Sequence, residues 1–162
     1  MKRFPVYFLV DVSLDSKQYN LIEVENIIKK IISIWRCDPY ILELTDITLF
    51  ACSNKVNILQ SRVALDEDIQ IQILEKGKDF SFPMAFNCLK EHILNNIEKC
   101  TIEHSGDRIP LIISFVDLEN LKLYFNQNSQ VRDWFRANSQ FVVVSREREL
   151  LGDRWYIIKN IH

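Results

Sequence analysis

The sequence predicts a doubly wound α/β fold, with a mainly parallel central sheet, helices on both faces and one antiparallel edge strand. Three observations carry this. Near-continuous apolar runs of strand length, VYFLVDV at residues 6–12 and IPLIISFV at 109–116, match central parallel strands buried on both faces. Amphipathic segments of helical period lie between the strand-like runs, so strands and helices alternate along the chain. Both runs stop at an aspartate, Asp11 and Asp117, at the strand ends where such sheets gather their ligand sites.

Each element has its own signal. After the first strand, LIEVENIIKKIISIWRC sets Leu21, Val24, Ile27, Ile28, Ile31, Ile32 and Trp35 at helical spacing, opposite Glu and Lys. ITLFACS and KVNILQS read as two strands joined at Asn54, a turn residue, and form a hairpin at one sheet edge. PMAFNCLKEHILNNIEKC is a second helix with Pro83 in its first turn, where the missing N–H costs nothing. The segment 118–139 is mostly helical with an interruption between Asn126 and Ser129, and QFVVVS is a further strand. The tail is open to two readings: WYIIKNI suits a last edge strand and RERELL a short helix. No repeat or linker divides the chain, so residues 1–162 form one domain.

Composition excludes several classes of function. With 48% hydrophobic residues, 3 glycines and 4 prolines in 162 residues, the chain is neither disordered nor of low complexity. Its 22 acidic and 20 basic residues are spread without a basic block, so no nucleic-acid footprint is expected. No apolar stretch reaches the ~18 residues a membrane span needs. The opening MKRFPVYFLV lacks a small-residue cleavage site, and Asp11 breaks it, so the reading is a cytoplasmic N-terminus. Cys37, Cys52, Cys88 and Cys100 have no zinc-type spacing and are expected as reduced, mostly buried thiols. His92, His104 and His162 share no ligand pattern and read as solvated. Ser13 and Ser16 have no nearby histidine to activate them.

The stretch FLVDVSLDS places Asp11, Ser13 and Asp15 at two-residue intervals on one loop. An aspartate after a strand is equally a helix cap or turn former, so one such residue decides nothing. The stretch resembles the Asp-x-Ser-x-Ser metal motif of von Willebrand factor A domains, and FPVYFLV is most similar to bacterial A-domain proteins of tellurite resistance and stress response. IPLIISFVDLE resembles the family strand ending in Thr-Asp-Gly, and GKDFSFPMAFNCLKEHI resembles the Gly-Thr entry into its middle helix. The three similarities occur in family order and cover about residues 4 to 145.

The resemblance implies a site at Asp11, Ser13 and Asp117 for Mg²⁺ or Mn²⁺, and also shows where that site departs from the family. Asp15 stands where the family has serine, Phe82 takes the threonine position with Ser81 beside it, and Val116 and Leu118 flank Asp117. Three ionised carboxylates place a charge of about −3 against +2, which repels an acidic partner group at close range. Phe82 supplies no oxygen to a hard ion that takes about six. The expectation is no cofactor, or a weakly bound Mg²⁺ or Mn²⁺. The implied function is a non-catalytic interaction domain, an adaptor or scaffold with a protein partner that touches Ser81, Phe82 and Glu119, and with neither nucleic acid nor membrane. The alternative is a metal-dependent phosphoesterase or nuclease using the carboxylates of Asp11, Asp15, Asp117 and Glu119.

Overall fold

The computed structural model describes residues 2–13, 20–69, 71, 76–99, 101–102, 106–149 and 152–159, with backbone alone from 145 onwards. The element order is β1 (Phe4–Asp11), α1 (Leu21–Arg36), α2 (Pro39–Leu44), β2 (Thr45–Cys52), β3 (Val56–Ala64), α3 (Phe82–Asn96), β4 (Leu111–Phe115), α4 (Leu118–Gln127), α5 (Ser129–Asn138), β5 (Gln140–Glu149) and β6 (Gly152–Lys159). The sheet runs β3-β2-β1-β4-β5-β6. β1 pairs in parallel with β2 and β4, and β4 with β5, while β3 and β6 are antiparallel edges. This is the doubly wound α/β architecture, consistent with von Willebrand A-like and Rossmann-like folds.

Strand alternation divides the core. Val6, Phe8 and Val10 of β1 face α1 and meet Val24, Ile28 and Ile32. Tyr7 and Leu9 face the opposite layer, where Phe86 and Leu89 of α3, Leu121 and Phe125 of α4 and Phe135 of α5 close over them. Residues 6–10 are all 0% exposed, and each large side chain contributes about 1.5–3 kcal/mol by leaving water. Glu25 is the exception on α1: it is buried, and its Oε1 has no hydrogen-bond partner among the described residues.

The tail follows its strand reading: residues 146–149 continue β5 rather than forming a helix, and β6 adds a second antiparallel edge. The helical segment 118–139 does break, at Asn128, where the cap between α4 and α5 has φ −128° and ψ 64°. The short helix α2 is an addition to the expected elements. Its signal is local, because Asp38 accepts from the amides of Tyr40 and Ile41 and Pro39 occupies the first helical position.

Two consecutive residues of β3 depart from strand geometry with structural effect. Ser61 and Arg62 together stand opposite Thr48, a bulge between the Leu49–Gln60 and Ile47–Val63 pairs. In a regular strand their side chains would point to opposite faces. Arg62 instead has φ 50°, in the left-handed region, and its amide donates to Thr48 Oγ1 at 3.0 Å. Both side chains therefore reach α3: Ser61 meets His92, and Arg62 NH1 donates to the carbonyl of Asn96. The guanidinium also grips Asp46 by a two-pronged contact, Nε–Oδ1 at 2.7 Å and NH2–Oδ2 at 2.6 Å, and reaches Asp107 at 3.2 Å.

The two carboxylate side chains are 6% exposed, so the arginine neutralises charges that water cannot. Arg62→Ala is expected to cost about 3–5 kcal/mol of unfolding free energy, measured by urea denaturation, because it leaves both carboxylates uncompensated.

Candidate functional site

Three segments meet at the carboxyl end of the parallel strands. Asp11 ends β1 and pairs in register with Cys52, the last residue of β2. The amide of Ser81 donates to the carbonyl of Ser53, which draws the start of α3 onto the same edge. Val10 pairs with Phe115, so Asp117 emerges on the neighbouring strand at the same end. The fold thus sets Asp11, Ser13, Ser81, Phe82 and Asp117 at the carboxyl end of the parallel strands. Asp15 lies outside the described residues, as do Ser16, Cys100, His104 and His162.

The side chains at this edge are engaged in local structure. Asp11 is buried, and its Oδ1 accepts from the amide of Ser13 at 2.9 Å and from its hydroxyl at 2.6 Å. Asp117 caps α4 by accepting from the amide of Asn120 at 2.9 Å. Ser81 caps α3 by accepting from Met84 at 3.4 Å. Glu119, exposed in the first turn of α4, lies 3.8 Å from Lys122, a pair of little energetic weight.

Phe82 opens α3 and is half-buried in an aromatic cluster. Its ring stacks on Tyr124 and Phe86, with centroids 5.3 Å and 6.2 Å away, and meets Phe80 edge-on at 4.7 Å. A carbon ring therefore occupies the position that the resemblance assigns to a hydroxyl ligand. Among the described residues no three or more His, Cys, Asp or Glu side chains are placed to share an ion. Asp11, Ser81 and Asp117 each accept a local hydrogen bond, from Ser13, Met84 and Asn120.

Cys52 lies beneath this edge, its thiol pushed up to about 12 by burial, the nearby Asp11 charge and Cys88. It is a packing residue rather than a nucleophile. Cys37, by contrast, is exposed and Cys88 only partly covered, so the expectation of mostly buried thiols is corrected for the described cysteines.

His92 corrects the sequence reading more sharply, being buried rather than solvated. Its Nδ1 is 2.8 Å from the Tyr7 hydroxyl and its Nε2 2.9 Å from Ser61 Oγ. Burial raises the Tyr7 pKa, so that hydroxyl stays protonated beside the ring. Residues 7, 61 and 92 come from three elements, and no sequence spacing connects them.

No protein-family model matches this chain, and no curated protein matches it. Among solved structures, the chain is similar to an aerotolerance-related membrane protein from Bacteroides fragilis NCTC 9343 carrying multiple mutations to serines, at 10% identity. That match covers 96% of this chain and 81% of the other, with a TM-score of 0.47. A membrane-spanning protein from Vibrio fischeri is similar at 8% identity over 95% of this chain and 79% of the other, with a TM-score of 0.36. Neither likeness bears on function. Among the described residues no helix is long and apolar enough to cross a membrane.

Burial, and secondarily the Arg62 charge, lowers the His92 pKa. The unfolded chain then binds a proton near pH 6.5 that the folded chain refuses until lower pH, so stability falls as pH drops through about 6.5. Chemical denaturation at pH 7.5 and pH 5.5 is expected to show this loss, and His92→Gln to reduce it relative to wild type.

Proposed function

We propose that this chain is a non-catalytic protein-interaction domain, an adaptor or scaffold whose carboxylate crevice holds no tight divalent ion. The observation that supports the reading is the Phe82 ring stacked on Tyr124 at the position the resemblance gives to a hydroxyl ligand, while Asp11 accepts from Ser13 and Asp117 from the amide of Asn120. A hydrolytic two-metal centre needs several carboxylates turned toward shared ions. Here Asp117 caps a helix and Glu119 faces solvent beside Lys122. Partner contact at Ser81, Phe82 and Glu119 uses the rim of this crevice. A place in a bacterial stress or tellurite-resistance-like system follows from the motif resemblance alone, the cytoplasmic reading from the N-terminal sequence, and the expectation of no nucleic-acid or membrane partner from charge distribution and hydropathy.

Affinity purification of the intact chain followed by mass spectrometry is expected to recover a stoichiometric protein partner, with no turnover of generic phosphomonoester or phosphodiester substrates in Mn²⁺. Robust turnover abolished by Asp11→Ala, with no partner, would reverse the reading.

Thermal melts with and without millimolar Mg²⁺, Mn²⁺ and Ca²⁺ are expected to coincide. An ion present at 100 times its Kd would add about 2.7 kcal/mol, a shift of several degrees. The double variant Asp15→Ser with Phe82→Thr should gain a Mn²⁺-dependent shift, from a lower starting stability because the aromatic stack is lost. Failure to gain it would remove Phe82 from the ligand position.

A further inference from the structure

Beside the carboxylate crevice, on the α1 face of the β2–β3 hairpin, an open pocket of about 580 Å³ lies between the hairpin turn and the segment leading into α3. Lys55, Lys76 and Lys78 line it, and among the described residues no aspartate or glutamate does. That one-sided charge stands out in a chain whose formal charge is −2. Val12, Ala51 and Leu59 supply an apolar part of the wall. Lys55 and Lys78 are exposed.

The lysines sit on backbone that is tied in place. The amide of Gly77 donates to the carbonyl of Val12 at 3.0 Å, that of Asn54 to Lys78 at 2.8 Å, and that of Ser53 to Lys55 at 2.9 Å. Gly77 lies so close to the hairpin that a Cβ added there would stand 2.3 Å from Ser53 Cβ, so any other residue would push the two segments apart. The positive charges therefore come from two segments locked together, which fixes the spacing of their backbone.

We propose that this pocket binds an acidic segment of a partner protein, in which carboxylate side chains meet the exposed Lys55 and Lys78 and an aliphatic side chain covers Leu59. This rests on the interaction-domain reading and names the chemistry of its partner. Carboxylates suit the pocket better than phosphate, because the amides of Ser53, Asn54 and Gly77 are spent on carbonyls and form no anion nest, and no arginine is among the described residues of the wall. Among the described residues no aromatic ring lines it for a nucleic-acid base to stack on, and their three lysines fall short of the four to eight of a lipid-binding basic cluster.

The test is fluorescence anisotropy of the full chain with a labelled decapeptide of alternating glutamate and leucine. The glutamine version of the peptide serves as the neutral control. Expected are saturable binding that weakens between 50 and 200 mM NaCl, at least tenfold weaker binding of the glutamine peptide, and at least tenfold loss in Lys55→Glu/Lys78→Glu. Lys29→Glu/Lys30→Glu, which reverses exposed charges on α1, should bind within twofold of wild type. Lys55→Ala/Lys78→Ala replaces the reversal variant if a thermal melt shows the latter unfolded. Absence of saturable peptide binding overturns the proposal. So does equal loss in the two reversal variants, or stronger competition by inorganic phosphate, oligo-dT or phosphatidylserine vesicles than by unlabelled peptide. A protein co-purified equally by wild type and Lys55→Glu/Lys78→Glu would sink the lysine pocket and leave the interaction-domain reading standing; recovery of no partner, with turnover, would sink both.

Discussion

Strand β1 is the constraint on which the molecule depends. It is paired on both edges, by β2 and β4, and Val6 to Val10 have no exposure to solvent. Because side chains alternate, its even residues belong to the core beneath α1 and its odd residues to the core beneath α3, α4 and α5. A slip of one residue would exchange the two sets, putting the Tyr7 hydroxyl among the aliphatic side chains of α1 and away from His92. Register is thus over-determined, and Asp11 is carried to the carboxyl edge by the same pairing that fills both cores.

The two ends of the sheet are treated differently. Toward the amino end, charge is closed off: Arg62 holds Asp46 and Asp107 and caps the carbonyl of Asn96 at the end of α3. The bulge of β3 opposite Thr48 makes this possible by sending Ser61 and Arg62 to the same face. At the carboxyl end the carboxylates, the half-buried aromatic cluster of Phe80, Phe82 and Tyr124 and the lysine-lined pocket stand side by side. The ion-pair network thus lies at the amino end, and the lysine-lined pocket on loops at the other, where a rigid sheet presents a ligand surface.

The candidate site was partly legible. Asp11, Ser13 and Asp117 announce themselves because an apolar run that stops at a carboxylate marks a strand end, and the fold brings those ends together. That Asp117 would spend its carboxylate on the amide of Asn120 follows from helix capping, which was available as the plain alternative. The stacking of Phe82 on Tyr124 was not legible, because it needs the packing of α3 against α4, some forty residues apart in sequence. The lysine pocket escaped for the same reason. Lys55 and the pair Lys76 and Lys78 are unremarkable in sequence and become one surface only when Gly77 seats its segment on the hairpin.

Local rules written in the chain determined the element types, the parallel sheet, the β2–β3 hairpin and the strand-end position of the aspartates, since periodicity and turn chemistry act over a few residues. Only tertiary structure decided the rest. It made His92 a buried hydrogen-bonding partner of Tyr7 and Ser61, turned the ambiguous tail into a continuation of β5 with an added edge strand, and forced Arg62 into a left-handed conformation to reach two carboxylates. Each of these depends on groups far apart in sequence whose burial is unfavourable until the partner arrives, and a linear pattern contains no record of which partner that is.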